Sequence, residues 1–526
     1  MKKYPRAREG GPRNKNLEVI MKKMKKLLAL LLSALMLLVL VAGCGTESEE
    51  PAPADESSAP SGEEPSGEEP SGDDGEIVEL TWYMVGNGMP ENYDAWKANL
   101  DTYLEEKIGV HLNVNVVGWG DWDGRRSTIV STNEPYDIMF TNLGTFSSDV
   151  KIGAFEDITE LVQSVTPDLY SAVDEDYWRA VSIDGKIYGV PTLKDVSVTQ
   201  YFVWDKALAE KYNPDYESLN TLESLTETLT AMKDGENISP FILSREGLSA
   251  VTMDYDAMGT GLPPIGVNYN DESATVVSVF EQEDVMSKLS TLHEWYEAGI
   301  INADAATLAE APQYRACFVA QGWPYAAVTT WGPNMGVDAT AVQWGNTYLS
   351  NDTVQGSVSC IANSSAHPDK ALQLLELVNT DSYVRDALFY GLEGENFEYV
   401  EAEDGTQRVH KLNNDWPMAG YTQGSFFNVT MLDDTDYNQY DEVAALNDAA
   451  IVSPLLGFVF DTSSLSNELS SCMEIWQRYK SELLTGTMDP ATGVPEMMEE
   501  LRAAGFDELV AEAQVQIDAF MAGQAA

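Results

Sequence analysis

Aromatic and amide side chains gather in loops that follow predicted strands, away from any regular helical or strand period. Trp119 and Trp122 lie in a Gly- and Asp-rich stretch after one strand, and Asn87 follows an earlier strand. Asn142 and Phe146 follow a third strand in the same way. An aromatic plane covers the apolar face of a small molecule, and amide groups satisfy its polar edge. The combination favours recognition of a small molecule, with a place in the core as the alternative for each ring.

The residue types needed for cofactor or metal chemistry do not form a motif. The sequence holds no phosphate-binding glycine loop, no serine-hydrolase elbow and no zinc-protease motif. The acidic patch of Asp433, Asp434 and Asp436 lacks the glycine and terminal glutamate of a calcium loop. We therefore expect no cofactor, no metal and no enzymatic activity. A surface glycoside hydrolase stays open, because carboxylate pairs are uninformative in so acidic a chain.

The elements that position the aromatic loops alternate between strand and helix. The pattern predicts strands at 78–84, 110–117 and 138–140, a helix at 93–107, and a second helix ending at Ile129. Right-handed crossovers make such strands parallel. Ligands of open α/β sheets bind beyond the carboxyl ends of the strands, which is where the loops lie.

The stretch 184–206 interrupts this alternation. A short strand stops at Pro191 and a second strand follows at 196–204 with no helix between them. This predicts a crossing from one sheet to another, and 354–361 is predicted as a further strand, which resembles a second such crossing. We expect an α/β fold of two lobes joined by several crossings around a ligand cleft. The predicted lobes are 77–194 plus 357–430, and 195–356 plus 431–526 with a C-terminal helical region.

The N-terminal segment has the pattern of a signal peptide. A basic start at 21–26 precedes an apolar run at 27–42, which is shorter than the ~20 residues of a membrane span. We expect 21–43 to be the signal peptide and 1–20 to reflect an over-long gene start. The ending Val-Ala-Gly-Cys resembles the bacterial lipobox, which implies cleavage before Cys44 and a lipid on its sulfur. An ordinary signal peptide with a chance cysteine is the alternative.

Residues 44–76 are rich in Ser, Gly, Pro and acidic residues and are predicted to form a disordered tether between the lipid and the folded body. The whole chain is strongly acidic, with a formal net charge of −54. Such a surface repels nucleic acid and anionic lipid, so both are excluded as partners of the protein surface. The membrane is expected as a partner only through the lipid anchor. The acidity leaves a receptor for a cationic or peptide ligand open. We expect a monomer.

The order of several segments resembles the family 1 extracellular solute-binding proteins, the maltose-binding type of ATP-driven importers. The segments NEPYDIMFT, GAFEDIT and YWRAVSIDGKIYGVP carry the resemblance, which runs from about Glu79 to the end. The stretches at 391–397 and 457–461 resemble the lipoprotein subfamily from Gram-positive bacteria, which has a C-terminal domain of unknown function. The resemblance implies a periplasmic-binding-protein type II fold that captures a carbohydrate, an oligosaccharide, outside the cytoplasmic membrane. It also implies delivery of that ligand to permease subunits.

The resemblance adds further candidate residues. The segment 323–331 resembles a family strand that carries ligand-facing aromatic residues, after a helix predicted at 313–320, and Trp344 is predicted to open a loop. Glu393, close to two glycines, is suited to accept hydrogen bonds from sugar hydroxyls, with a plain helix end as the alternative. The predicted ligand-binding residues are Asn87, Trp119, Trp122, Asn142, Phe146, Lys194, Trp323, Tyr325, Trp331, Trp344 and Glu393.

Overall fold

The structure is a computed structural model that describes residues 77–524. The predicted signal peptide, the lipidation of Cys44 and the acidic tether lie outside the described residues. Within 77–524, no helix is both long and apolar enough to cross a membrane.

Strands and helices alternate at the start of the described chain, as the sequence predicts. The elements are β1 (Val78–Gly86), α1 (Tyr93–Ile108), β2 (Val110–Gly118), α2 (Trp122–Thr132), β3 (Ile138–Thr141), α3 (Phe146–Lys151), α4 (Thr159–Val165), α5 (Pro167–Ala172), α6 (Glu175–Ala180), β4 (Ser182–Ile183), β5 (Lys186–Ile187) and β6 (Val190–Pro191). Asp184 and Gly185 have φ of 52° and 76°, the left-handed values that a two-residue hairpin turn between β4 and β5 requires.

A second group of elements follows β6. It comprises β7 (Val198–Asp205), α7 (Lys206–Tyr212), α8 (Thr226–Glu236), β8 (Tyr255–Asp256), β9 (Ile265–Asn268), β10 (Val276–Ser278), α9 (Glu283–Glu297), β11 (Cys317–Gln321), a π-helical turn (Ala327–Trp331), α10 (Gly332–Met335) and β12 (Ala339–Leu349).

The remaining elements return to the first group and then end in three helices. They are α11 (Asn351–Val354), β13 (Val358–Ile361), α12 (Pro368–Thr380), α13 (Ser382–Tyr390), β14 (Phe397–Glu401), β15 (Gln407–Lys411), α14 (Gln439–Asp448), β16 (Ile451–Val452), α15 (Ser466–Leu484), α16 (Pro490–Ala503) and α17 (Phe506–Gln524).

The first sheet has five strands in the order β2-β1-β3-β13-β6. Strand β1 pairs in parallel with β2 and β3, while β13 pairs antiparallel with β3 and β6. The inner strand β1 is buried from Trp82 to Gly86, whereas β2 alternates between buried and partly exposed residues. Alternation marks a strand with one face on the core, and continuous burial marks a strand covered on both faces.

A second sheet has four strands in the order β11-β7-β12-β16, and a three-stranded sheet has the order β10-β9-β8. One hydrophobic cluster forms mainly around the first sheet, and another forms around β7, β9, α9 and the three C-terminal helices. We call the part built on the first sheet lobe 1, and the part built on the second sheet lobe 2.

The chain crosses between the two sheets in three places. The first crossing joins β6 to β7, and the second joins β12 to β13 through α11. The third crossing begins near Met418, which forms a β-bridge to Gly86 of the first sheet. It continues through α14 to β16, which pairs with β12 in the second sheet. Several parallel links between lobes restrict their relative motion to a hinge.

Hydrogen bonds tie the three crossings together side by side. The hydroxyls of Thr192 and Ser357 are 2.9 Å apart, and Ser357 Oγ donates to the Tyr421 carbonyl at 2.6 Å. On the other side, Asn447 Nδ2 donates to the Lys194 carbonyl at 2.7 Å. The crossings therefore form one bonded layer at the base of the space between the lobes.

Two local predictions in lobe 2 are wrong. The predicted helix at 313–320 is replaced by strand β11, and the predicted strand at 323–331 is a turn followed by the π-helical turn. The cause is long-range, because β11 pairs antiparallel with β7 along its whole length. The predicted strand at 354–361 is shortened to β13, since α11 extends to Val354 before the crossing.

Candidate functional site

A cavity of about 300 Å³ lies against the crossings and is lined almost entirely by aromatic and apolar surface. Lys194 and Asp195 reach it from the first crossing, and Trp323 reaches it from the turn after β11. The third crossing supplies the rest of the lining: Tyr421, Phe426, Tyr440 and Val443. The lining therefore combines residues of the crossings with Trp323 of lobe 2.

A larger cavity of about 580 Å³ shares Tyr440 with the first one. Lobe 2 contributes Tyr325, whose ring lies 4.2 Å from that of Tyr437 between centroids. Lobe 1 contributes Lys411, the last residue of β15, and Trp416, which follows it in the chain. The lining also includes hydroxyl, amide and carboxylate groups: Thr329, Asn414, Thr430, Asp434, Thr435, Asn438 and Gln439. The larger cavity is therefore lined by both aromatic planes and hydrogen-bonding groups.

Trp119 extends the aromatic surface beyond the smaller cavity. Its ring stacks on Tyr421 with a centroid distance of 5.6 Å and an angle of 20°, and 48% of the residue is exposed. The indole Nε1–H donates to Asn87 Oδ1 at 2.9 Å, which fixes the ring in the loop after β2. An exposed tryptophan with a fixed orientation is a stacking platform for a flat apolar face.

The charged groups of the smaller cavity are already paired. Lys194 Nζ lies 2.8 Å from Asp195 Oδ1, so the cavity offers a neutral pair rather than a free charge. Burial raises the pKa of Tyr421 and of Tyr440, and a hydrogen bond to Glu442 raises the pKa of Tyr437 to about 12. All three phenol groups are therefore protonated at neutral pH, and the Tyr437 hydroxyl already donates its proton to Glu442 Oε1.

The structure brings part of the predicted residue set together. Lys194 and Trp323 line the smaller cavity, Tyr325 lines the larger one, and Asn87 and Trp119 bond to each other beside them. These side chains come from both lobes. Their contact with a ligand stays a prediction.

Other predicted residues lie in the hydrophobic cores. Phe146 begins α3 and is fully buried, and Trp122 begins α2 and packs against Phe140. Trp344 does not open a loop: it lies within β12 and stacks on Phe202. Trp331 is buried against Tyr201, because the chain around it is helical rather than extended.

The last two predicted residues lie outside both cavities. Asn142 is half-buried, and its carbonyl accepts the backbone N–H groups of Thr145 and Phe146 in the turn that opens α3. Glu393 is exposed in a turn after α13, where it forms a bridge to Phe397. The helix-end alternative for Glu393 fits this position.

Sequence reasoning missed the aromatic residues of the third crossing. Tyr421, Phe426, Tyr437 and Tyr440 all line the cavities, and none of them was a candidate. The signal was present, since Gly, Asn and Asp residues surround these rings and no strand or helix period runs through 416–438. The same criterion had selected Trp119.

Metal and thiol chemistry have no support in the described part of the chain. Across residues 77–524, no cluster of three or more His, Cys, Asp or Glu side chains is placed to hold a metal ion. Cys317, Cys360 and Cys472 are free and buried, and burial raises the pKa of each thiol. A buried neutral thiol is a poor nucleophile.

Two family models match the chain. Residues 99–390 match the family described as bacterial extracellular solute-binding protein, and residues 454–522 match a domain of unknown function, DUF3502. A carbohydrate ABC transporter substrate-binding protein from Streptococcus pneumoniae serotype 4 is 30% identical over 476 residues, covering 85% of this chain and 92% of that protein.

Solved structures give the same relationship. The N-glycan transport solute binding protein NgtS from Streptococcus pneumoniae superposes with a TM-score of 0.76 at 28% identity, covering 85% of this chain and 100% of that one. The same protein in complex with Man5GlcNAc superposes with a TM-score of 0.63 at 28% identity, covering 85% of this chain and 99% of that one.

Proposed function

The chain belongs to the family of bacterial extracellular solute-binding proteins, and from that premise we propose that it captures an oligosaccharide for an ATP-driven importer. The observation that carries the proposal is the aromatic lining of two cavities near the crossings, which share Tyr440. The relatives support it, since one is a carbohydrate transporter receptor and another was solved with Man5GlcNAc bound.

A sugar ring matches this lining group by group. Each pyranose has an apolar face of C–H groups, which Trp119, Trp323 and Tyr421 are placed to cover. Its hydroxyl edge needs donors and acceptors, which the phenol, amide and carboxylate groups of the larger cavity supply. Because the smaller cavity holds a closed Lys194–Asp195 pair, a neutral sugar costs less there than an ion of either sign. This favours a neutral oligosaccharide over the cationic solute that the acidity of the chain left open.

Ligand binding is coupled to closure of the lobes. The cavities take residues from both lobes and from the crossings between them, so a bound ligand stabilises the closed state through contacts that the open state lacks. A glycoside hydrolase is not supported, since the matched relatives are solute-binding proteins. The closed protein then docks on permease subunits at the extracellular side of the cytoplasmic membrane.

Isothermal titration calorimetry of the purified body with Man5GlcNAc and a panel of neutral oligosaccharides tests the proposal. We expect saturable binding to at least one of them, and a smaller radius of gyration by X-ray scattering when it is bound. The matched control is Tyr314→Ala, which removes an exposed aromatic ring that lines neither cavity. The proposal is wrong if no oligosaccharide in the panel produces a binding isotherm.

We further propose that Cys44 carries a lipid anchor and that residues 44–76 are its tether. The support is the sequence pattern before Cys44 and the acidic composition after it. Replacing Cys44 by Ser in the full chain should release the protein from the membrane fraction into the medium. An unchanged membrane fraction would contradict the anchor.

A further inference from the structure

The fully buried Arg385 donates hydrogen bonds to the chain segment that carries two of the aromatic residues lining the smaller cavity. Arg385 lies on α13 with no exposed surface, and its three hydrogen bonds all run to residues 420–425. Nε donates to the Ser425 carbonyl at 2.7 Å, Nη1 to Gln423 Oε1 at 3.0 Å and Nη2 to the Gly420 carbonyl at 2.9 Å. We call residues 420–426 the wall segment.

The wall segment carries two of the cavity aromatics. Tyr421 stacks on Trp119, and Phe426 packs on Tyr440 at a centroid distance of 5.3 Å. The segment has only one short 3-10 turn, Gly420–Thr422, so most of its position is not fixed by regular backbone hydrogen bonds. One long-range backbone bond, from the Phe426 N–H to the Leu193 carbonyl at 2.8 Å, fixes the end of the segment, and side-chain donors supply the constraint before it.

The guanidinium is suited to this task in a way that other side chains are not. Its planar fork presents five donors in fixed directions, and three acceptors of one segment lie along them. Its charge lies 5.0 Å from the Phe389 ring centre and 5.5 Å from that of Phe426, which places it between two aromatic faces. The cation therefore bonds both the backbone of the wall segment and one of its rings.

Among residues 77–524, no carboxylate hydrogen-bonds to the guanidinium, and the charge of the adjacent Asp386 acts on it only through space. The adjacent Asp386 accepts hydrogen bonds from the Thr430 backbone N–H and the Tyr399 hydroxyl instead. Burial lowers the pKa of Arg385 to about 10, which shows that its charge is held at a cost. A buried cation without a bonded anion is unfavourable for stability alone, so its contacts point to a requirement of the site.

We propose that Arg385 is a positioning residue of the oligosaccharide site, which sets the placement of Tyr421 and Phe426 and so the ligand affinity. It acts through the wall segment and does not touch the ligand. The inference rests on the proposed function, because affinity for an oligosaccharide is the property it controls.

The test uses Arg385→Met, which keeps the aliphatic stem and removes the donors, and Arg385→Lys, which keeps the charge without the fork. The matched control is Lys288→Met, a half-buried cation of lobe 2 that bonds Asp254 Oδ2 at 2.5 Å and lines neither cavity. Each variant is titrated with Man5GlcNAc, and its melting temperature is measured without ligand. We expect Arg385→Met to weaken binding at least tenfold and Arg385→Lys to weaken it by less. Lys288→Met should lower the melting temperature and leave the dissociation constant within twofold.

A double-mutant cycle separates positioning from general destabilisation. If Arg385 acts through Tyr421, then Arg385→Met should cost much less affinity in a Tyr421→Ala background than in the wild type. If Arg385→Met does not fold, the cycle is run with Arg385→Lys. Wild-type affinity in Arg385→Met or Arg385→Lys overturns the inference, and so does full additivity with Tyr421→Ala. Failure of the wild-type protein to bind any oligosaccharide overturns the proposed function itself.

Discussion

Trp119→Ala separates ligand binding from folding more cleanly than any other single change at the cavities. The ring is 48% exposed, so its removal leaves no hole in a core. Its folded-state contacts are the stack on Tyr421 and one hydrogen bond to the exposed Asn87. An aromatic pair contributes about 0.5–1.5 kcal/mol beyond its buried area. The free energy of unfolding should therefore fall by about 1 kcal/mol.

The effect on binding is larger. A tryptophan buries up to about 250 Å², and roughly half of Trp119 is free for a ligand. If a sugar ring covers half of that free surface, about 60 Å² of indole and a similar area of ligand leave the solvent. At about 25 cal/mol per Å² this contributes roughly 3 kcal/mol before the cost of fixing the sugar. Because that cost removes part of the gain, we expect a net loss of about 1.5–2.5 kcal/mol, or 10- to 70-fold in the dissociation constant.

Calorimetric titration with Man5GlcNAc, together with urea unfolding of the same preparation, measures both quantities. Tyr314→Ala is the control, since it removes an exposed aromatic ring of lobe 2 that lies outside both cavities. Ligand stacking on Trp119 is refuted if Trp119→Ala binds as tightly as the wild type, or if its affinity falls only in proportion to lost folded protein.

Three further predictions concern the crossings and the chain that leads into them. Burial, and then the charge of Asp256, raise the pKa of Asp352 to about 7, above the ordinary value of an aspartate near 4. Since the folded state holds the proton more tightly, stability should fall as pH rises from about 4 to 7, and Asp352→Asn should raise the melting temperature at pH 8 but not at pH 4; equal shifts at both would contradict the assignment. Ser357→Ala leaves the Tyr421 carbonyl without its donor and should cost about 1–3 kcal/mol in urea unfolding, whereas Ser273→Ala, at an exposed loop serine, should cost far less. Gly189→Ala would place a Cβ 2.8 Å from Cys360 Sγ and against Val358. The overpacking should lower the free energy of unfolding, measured with urea, by about 1–3 kcal/mol. An unchanged urea midpoint would show that β13 can move aside.

Much of lobe 1 could be predicted because its signals are local. Helix α1 is followed by Gly109, whose φ of 67° is a left-handed value that glycine adopts without a steric penalty. Strand β2 shows its period of two in the buried Val110, Leu112 and Val114. The crossing after Pro191 was also visible, since two strands followed each other with no helix between them. These features depend on neighbours within a few residues.

The errors in lobe 2 arise where pairing overrides local preference. Residues 323–331 are rich in β-formers and read as a strand, yet Gly322 and Pro324 turn the chain away from the sheet. The strand is instead β11, which obtains its hydrogen bonds from β7 more than a hundred residues earlier in the chain. Strand propensity describes a fit to a half-buried surface, and a single sequence does not show where that surface lies.

Trp119 and Trp122 show the same limit within one loop. The two residues have the same type and the same Gly- and Asp-rich surroundings, and both were candidates for ligand contact. Trp122 became a core residue because α2 begins there and turns its ring onto Phe140 of β3. Trp119 stayed exposed because its partner, Tyr421, arrives from the third crossing about three hundred residues later. Local composition therefore selects candidate loops, whereas the contact that holds Trp119 as an exposed ring is made only when a distant crossing packs against it.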